Sequence, residues 1–336
     1  PDHDLSVKVV TVPKTLKTPR VIALEPTYTM LIQQGIKDYI VTKLEEHYLT
    51  KGSVNFRDQS INQRLALESS SSRRHATLDL SEASDRVHNE LVKLMFSSVP
   101  ILNECIQLCR TKTAVLPDGR KLELNKFASM GSALCFPVES LFFFIVILCA
   151  RIRVLQQENA SISVTLALIK SLKREIFVYG DDLIVPTDEV EHVIETLTRF
   201  GNVVGLDKSY YRSFFRESCG VDAYKGIDIT PVYLRSMPHD GPLREHAADT
   251  VSLVSTANLL FDKGYWSTAS LMRTYIEEVT GSLPVVEKTS AGLGWIFGDS
   301  NCRTRWNPRH QVLEVLTFMP APVYKKDFID GYPALR

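Results

Sequence analysis

Three aspartates stand where apolar surroundings would expel a charge unless something required it. Asp79 ends a short apolar strand, and Asp181 and Asp182 sit at the tip of "EIFVYGDDLIVP", two apolar runs around a four-residue polar turn. Carboxylates held close together repel, and burying them is costly unless positive charge neutralises them. A pair of Mg²⁺ ions would do this, with Mn²⁺ as a substitute. Hard oxygen ligands at strand ends suit Mg²⁺, which takes substrate phosphates as further ligands. Two ions about 3.5–4 Å apart can activate a 3′-hydroxyl and stabilise a leaving pyrophosphate. Taken singly, Asp79 reads equally well as a helix cap and Asp181-Asp182 as a solvated turn. The ordered combination favours metal: a strand-end aspartate, then about 100 residues holding a glycine-bearing loop and a helix, then Tyr-Gly-Asp-Asp between apolar strands.

These residues need elements to position them. Residues 5–24 carry Lys8, Lys14, Lys17 and Arg20 and no acid, and the β-branched residues around two prolines predict extended strand and loop. A helix is expected from Pro26 to about His47, with Leu31, Ile32, Ile36, Tyr39, Ile40 and Leu44 on its apolar face. "SSSSRRH" at 69–75 reads as a loop, with His75 incidental. Ala76–Leu80 reads as a buried strand, followed from Ser81 by a helix facing inward through Val87, Leu91, Leu94 and Met95. Pro117-Asp118-Gly119 predicts a hairpin over about 112–124. A buried helix is expected over about 130–155. Its apolar run, Leu141–Ala150, is well short of the roughly 18 residues of a membrane span. "EIFVYGDDLIVP" predicts a second hairpin, and 188–200 an amphipathic helix closed by Gly201. Beyond about 235 the pattern is helical and loop-rich, without a readable motif.

Composition narrows the function classes. The chain has 336 residues, 44% hydrophobic and 23% charged, enough apolar material for a sizeable core. Its 39 basic and 39 acidic residues balance, which disfavours a purely electrostatic nucleic-acid binder but not an enzyme with a locally basic channel. The six cysteines form no C-x-x-C pair, and no histidine pair has zinc spacing, so a structural zinc is not expected. Scattered cysteines read as buried thiols in a reducing compartment. No signal peptide is visible, and the opening proline and abrupt end suggest a fragment.

Six stretches in order carry a specific resemblance. "TLDLSEASD" (77–85), "FASMGSALCFPVESL" (127–141), "VYGDDLIVP" (178–186), "GLDKS" (205–209), "FRESCG" (215–220) and "VPKTLKTPRVIALEP" (12–26) resemble polymerase motifs A, B, C, D, E and F. They resemble those of the replicase β subunit of the single-stranded RNA bacteriophages, the leviviruses of the Qβ type, and "RDQSINQRLA" (57–66) fits the same family. The resemblance runs from about Lys8 to Arg235, without the N-terminal part of the fingers.

The resemblance implies an α+β right-hand polymerase of fingers, palm and thumb, with an antiparallel palm sheet backed by helices. It implies partial fingers over 1–75, a palm with inserted fingers elements over 76–234, and a thumb and C-terminal region over 235–336. It implies template-directed RNA synthesis, with Asp79, Asp181 and Asp182 binding the metals. Lys14, Lys17 and Arg20 would hold the incoming triphosphate, where the bland reading is a solvated basic loop. Lys208 would protonate pyrophosphate, where the bland reading is an exposed lysine. Ser129, Met130 and Gly131 would meet the nascent base pair, where the bland reading is an ordinary helix start. Two positions depart from many viral polymerases. Ser84 stands where they carry a ribose-reading aspartate, with Asp85 one residue later, and Glu139 stands where many have asparagine. The implied partners are template and nascent RNA, ribonucleoside triphosphates, host translation elongation factors and a ribosomal protein, with no membrane, in the bacterial cytoplasm.

Two other classes compete. A reverse transcriptase also uses an aspartate pair, but usually places a bulky aromatic near the ribose. Ser81, Ala83 and Ser84 are small, which favours ribonucleotides. A non-enzymatic RNA-binding module with a decayed palm would have lost one of the three aspartates, and all are present.

Overall fold

The computed structural model describes residues 6–12, 19–237, 246–299 and 303–321. The chain divides into two compact units, Pro1–Thr230 and Pro231–Arg336.

In the first unit, β1 (Ser6–Val12) and β2 (Arg20–Leu24) pair antiparallel, with Val10 opposite Ile22. Helix α1 (Thr27–Glu46) begins directly after Pro26, as expected. Its buried face is only in part the one its apolar spacing suggests, since Ile36, Ile40 and Leu44 do meet the core. Leu31, Ile32 and Tyr39 are exposed, whereas Thr29, Gln33, Ile40 and Val41 are buried. Gln33 can lie inside because Cys109 O, Ser132 Oγ and the Ala133 N–H satisfy its amide.

The serine run expected as a loop is the last turn of α2 (Ser60–Ser72). Its hydroxyls donate back along the helix, Ser70 to Leu67 O at 2.7 Å and Ser71 and Ser72 to Glu68 O at 3.0 Å. His75 is not incidental. It is buried, between Ser69 Oγ at 3.2 Å and Glu175 Oε2 at 2.7 Å.

The Ala76–Leu80 stretch becomes β3 (His75–Leu78) and β4 (Leu80–Ser81), with Asp79 between them. The helix expected from Ser81 is instead a 3₁₀ turn at Ala83–Arg86, followed by α3 (Asn89–Met95). Val87 breaks the run. It is buried and extended, and its carbonyl accepts from Phe127 N at 2.7 Å. Leu94, expected to face inward, is exposed. Helix α4 (Pro100–Leu108) leads to the expected hairpin of β5 (Thr113–Val115) and β6 (Lys121–Glu123). Strand β5 also joins β1 in parallel, giving a sheet ordered β2-β1-β5-β6.

Helix α5 (Cys135–Glu158) starts about five residues later than its hydrophobicity suggests, because 128–134 is an irregular loop docked on β2. By length and composition α5 could cross a membrane, but 67% of its apolar window is buried inside the protein, as in a core helix. After α6 (Leu166–Leu172), the predicted hairpin forms from β7 (Phe177–Tyr179) and β8 (Asp182–Pro186). Strand β8 is central in the sheet β3-β8-β7, with Leu183 opposite both Leu78 and Val178. Helix α7 (Val190–Arg199) packs beside α5, and Gly201 follows at φ +86°. Phe143, Ile147, Val178, Leu183, Val193 and Leu197 fill the core between sheet and helices. Strand β9 (Val203–Val204) pairs with β4, and β10 (Phe215–Ser218), β11 (Val221–Tyr224) and β12 (Ile227–Asp228) form an antiparallel sheet.

The second unit holds α8 (Ala247–Asp262), α9 (Trp266–Thr280) and a hairpin of β13 (Thr304–Asn307) and β14 (Val312–Val315). Leu253, Ala257, Ala269, Ile276 and Trp295 form its own core. Of the cysteines, Cys109 is buried, but Cys105 and Cys149 are exposed despite the expectation of burial. Cys302 lies outside the described residues.

Candidate active site

Asp79 sits at a break between strands, and its backbone is fixed from both sides. Its N–H donates to Ser209 Oγ at 3.2 Å, and its carbonyl accepts from Gly205 N at 2.9 Å. A Cβ on Gly205 would stand in van der Waals contact with the Asp79 carboxylate, 3.4 Å from Oδ2. The 205–209 segment thus wraps the aspartate.

Asp181 projects from the β7–β8 tip, and Gly180 makes that tip possible. Its φ is +63°, its N–H donates to Ser140 Oγ at 3.1 Å, and any Cβ there would collide with the Phe136 ring. Phe136 in turn meets Tyr179 edge-on, with centroids 5.1 Å apart. Because Leu78 lies opposite Leu183, residues 79 and 182 leave the sheet at the same end.

Asp79 and Asp181 line one cleft of about 800 Å³. Asp182 lies beside it and is engaged elsewhere, its Oδ1 accepting from Ser218 Oγ at 3.3 Å. Among the described residues, no three His, Cys, Asp or Glu side chains are gathered as ligands of one ion. Two of the three aspartates therefore share the cleft, and the third backs them from the β10 side.

The other expected residues distribute as follows. Arg20, Ser84, Asp85, Met130, Gly131 and Lys208 all line the cleft. Arg20 and Lys208 are exposed. Ser84 is buried, while Asp85 is paired with Lys126 Nζ at 2.5 Å. Ser129 is buried and turns instead toward a small cavity beside Glu25 and Gln33. Lys14 and Lys17 lie outside the described residues.

The 128–134 loop is clamped rather than free. Met130 O accepts from Ala23 N at 2.8 Å, and Gly131, at φ +131°, lies so close to Ala23 O that a Cβ could not fit. Gln33 Oε1 holds the other side, accepting from Ser132 Oγ and Ala133 N at 3.0 and 3.1 Å. Sequence reading missed Gln33, Lys126, Ser140 and Ser209. Ser140 and Ser209 fall inside the resembling stretches 127–141 and 205–209, and Gln33 is a polar residue amid the apolar positions of α1, but none of these signals named a partner.

The cleft is short of positive charge. Burial pushes the Glu139 carboxyl up to about 8, and the Asp181 charge adds to the rise. Burial also raises Asp182, again helped by Asp181. Glu217 is raised by burial, then by the charges of Asp222 and Asp79. Negative charge from Asp79 and Asp181 thus adds to the effect of burial on neighbouring carboxyls, an excess that a divalent cation would relieve. Asp79 and Asp181, with Asp182 behind them, therefore fit a hard cation such as Mg²⁺.

Residues 4–241 match the family described as RNA replicase, beta-chain. The chain is 36% identical over 229 residues to the RNA-directed RNA polymerase subunit beta of Qbeta virus (strain MX1), covering 68% of this chain and 35% of that protein. It is 32% identical over 227 residues to the RNA-directed RNA polymerase beta chain of Escherichia phage MS2, covering 68% and 37%. The matched part thus spans about a third of the length of these relatives. Among solved structures it is similar to the RNA-dependent RNA polymerase of a human picorbirnavirus, with a TM-score of 0.52 at 13% identity, covering 81% of this chain and 55% of that one. An insertion-loop deletion mutant of a human picorbirnavirus polymerase gives the same TM-score at 12% identity, covering 82% and 57%. At that identity the likeness is one of fold: the mixed helix-and-sheet architecture is that of an α+β polymerase.

Proposed function

We propose, from the premise that this chain belongs to the RNA replicase β-chain family, that it carries the catalytic core of an RNA-dependent RNA polymerase. It would add ribonucleoside monophosphates from triphosphates to an RNA 3′ end along an RNA template. One observation carries the reading: a single cleft brings Asp79 and Asp181, among six lining carboxyl groups, together with two exposed cations, Arg20 and Lys208.

Asp79 and Asp181 would hold a pair of Mg²⁺ ions, or Mn²⁺ in their place, with Asp182 supporting them. When bound, the ions supply Lewis-acid activation of the 3′-hydroxyl and charge stabilisation of the leaving pyrophosphate. Arg20, with Lys14 and Lys17 of the same acid-free segment, binds the triphosphate and neutralises charge that develops on its oxygens. The Lys208 ammonium gives its proton to pyrophosphate as the bond to the α-phosphorus breaks. Gly131 and Met130 border the space where the new base pair forms, held there by the clamp on β2. Small Ala83 and Ser84 leave room for a ribose 2′-hydroxyl. A site that bonds a hydroxyl discriminates against the analogue lacking it, because its own polar groups are left unpaired. Asp85 is a weaker candidate for that contact, since Lys126 already engages it. The proposed setting is the cytoplasm of a bacterial host, with host translation elongation factors and a ribosomal protein as partners.

Primer extension on a defined RNA tests the proposal, with ribo- and deoxyribonucleotides compared. Wild-type protein is expected to extend with ribonucleotides and strongly disfavour deoxyribonucleotides. Asp181→Asn is expected to abolish extension while RNA binding persists, because the change removes a charge and keeps the shape. Near-normal extension by Asp181→Asn with Mg²⁺ would refute the metal assignment. Equal use of both sugars would refute the ribose assignment.

A further inference from the structure

The opposite end of the palm-like sheet carries a cluster of cations that the cleft does not use. Arg73 and Lys225 both approach one ring, Phe214, with 5.4 and 5.6 Å to its centroid. Lys225 also lies 5.4 Å from the Tyr224 ring centroid, and Arg212 lies 5.3 Å from that of Tyr211. Phe214 and Tyr224 are exposed large hydrophobics. Beneath them Arg216 is wholly buried. Its Nε and Nη1 bond only to carbonyls, those of His75, Ser213 and Phe215, and its Nη2 has no partner. Burial, with Arg73 nearby, lowers its guanidinium to about 10, still cationic at neutral pH.

Charge balance is the first argument. Among the described residues Arg73, Lys225 and Arg216 have no carboxylate in ion-pair range, and Arg212 has only Glu191 at 3.5 Å. Two like charges over one ring, with a third buried nearby and no acid paired to any of them, make a standing demand for an anion.

Backbone conformation is the second. Arg73 and Lys225 are both left-handed, at φ +58° and +50°. Arg73 ends α2 at the position where glycine or asparagine is usual, and Lys225 sits in the β11–β12 turn, where either would also be easier. The turn is pinned by Gly226 N donating to Ser70 Oγ at 2.7 Å. A favourable end of the α2 dipole would account for one cation after the helix, but not for a second one on a separate turn. Two positions that would fold more easily without a cation both carry one.

We infer that Arg73, Lys225 and Arg212, with Phe214, Tyr211 and Tyr224, form a second binding surface for single-stranded RNA, outside the catalytic cleft. The cations would hold successive phosphates and the rings would stack bases, the combination by which single strands are held without sequence preference. A hollow of about 300 Å³, lined by Leu206, Ser209, Tyr210, Tyr211, Arg212 and Ser213, runs from the segment behind Asp79 to the cluster. Arg216 bonds to His75 O at the start of β3 and Asp79 follows its end, so about 13 Å of strand separates the Arg216 end of the patch from Asp79. Arg216 keeps the surface positive from below.

The test uses the whole chain with EDTA and no nucleotide, so that it does not depend on polymerisation. Binding of a fluorescent oligoribonucleotide of about 12 residues is followed by anisotropy across salt concentrations. The double variant Arg73→Asn/Lys225→Asn suits both left-handed positions, so its melting temperature should be unchanged or higher. Its binding should weaken roughly tenfold, with a log–log salt slope shallower by about 1.4, from two lost phosphate contacts at about 0.7 each. Photocrosslinks from 4-thiouridine should map to the Phe214 and Tyr224 peptides in the wild type and vanish in the variant. Unchanged affinity, slope and crosslinks would overturn the inference. Displacement of the strand by millimolar inorganic phosphate, or equal binding of poly-glutamate, would also overturn it, in favour of a small-anion site or a site for acidic protein. Retained ribonucleotide extension by the double variant on a short primed template is expected, whereas its loss would place these residues in the cleft's own machinery and overturn a separate surface.

Discussion

The charged residues of the cleft are placed by neighbours that carry no charge. Gly180 is the sharpest case, since its positive φ and the Phe136 ring leave no room for a side chain. Gly180→Ala must shift either the ring or the hairpin tip. It is expected to destabilise the protein by about 1–3 kcal/mol, the range of overpacked sites. It should also lower extension at least about tenfold, because a misplacement near 1 Å at reacting groups is costly. Denaturant unfolding and single-nucleotide incorporation measure the two effects, and a variant with wild-type values in both would show that Phe136 does not fix the tip. The aspartates themselves were legible in the sequence, because a charge at the end of an apolar strand is conspicuous without a fold. Gln33, Ser140 and Ser209 were not, because each acquires its role only from a partner far along the chain. The sequence also gave no means to see that Asp182 would turn to Ser218, since that depends on where β10 lands.

Elements were legible where local turn chemistry decides them. Pro117-Asp118-Gly119 and the Gly-Asp-Asp tip both produce the hairpins expected of them. Helix faces were less legible, because burial of a polar group depends on partners that periodicity cannot show. Gln33 on α1 and the serines of α2 are the examples. A buried ion pair between elements gives a measurable consequence. Arg151 on α5 is buried, and its guanidinium makes two bonds to Glu189, at 2.6 and 2.8 Å, and a third to Leu172 O. Glu189 lies in the 3₁₀ turn that opens α7, so this pair ties α5 to α7. Removing one partner strands the other charge, which typically costs about 3–5 kcal/mol. Glu189→Ala should lose that much in denaturant unfolding followed by far-UV circular dichroism, and Glu189→Gln less, because the amide oxygen still accepts. A loss below about 1 kcal/mol for the alanine variant would mean that water replaces the carboxylate at Arg151, contrary to its burial.

At the scale of the molecule, two cores imply two unfolding units. Residues 4–241 match the family, so most of the second unit lies beyond that match, in the stretch where no motif was readable. The two units nonetheless have separate hydrophobic clusters, one around α5 and the β3-β8-β7 sheet, the other around α8, α9 and Trp295. Multi-domain chains with separate cores need not unfold in one step. Residue distribution makes this testable without added labels. All three tryptophans, Trp266, Trp295 and Trp306, belong to the second unit. Trp295 is fully buried, and its indole N–H donates to Glu277 Oε1 at 2.8 Å. Tryptophan emission therefore reports the second unit, whereas far-UV circular dichroism reports both. Phe143 is wholly buried in the first core, and Phe143→Ala should cost about 3–5 kcal/mol there. For a unit of this size that is a fall of roughly 10 °C in the melting transition seen by circular dichroism. The emission transition should stay where it is in the wild type. If instead the variant moves both transitions together, the two units unfold as one, and the second core depends on the first for its stability.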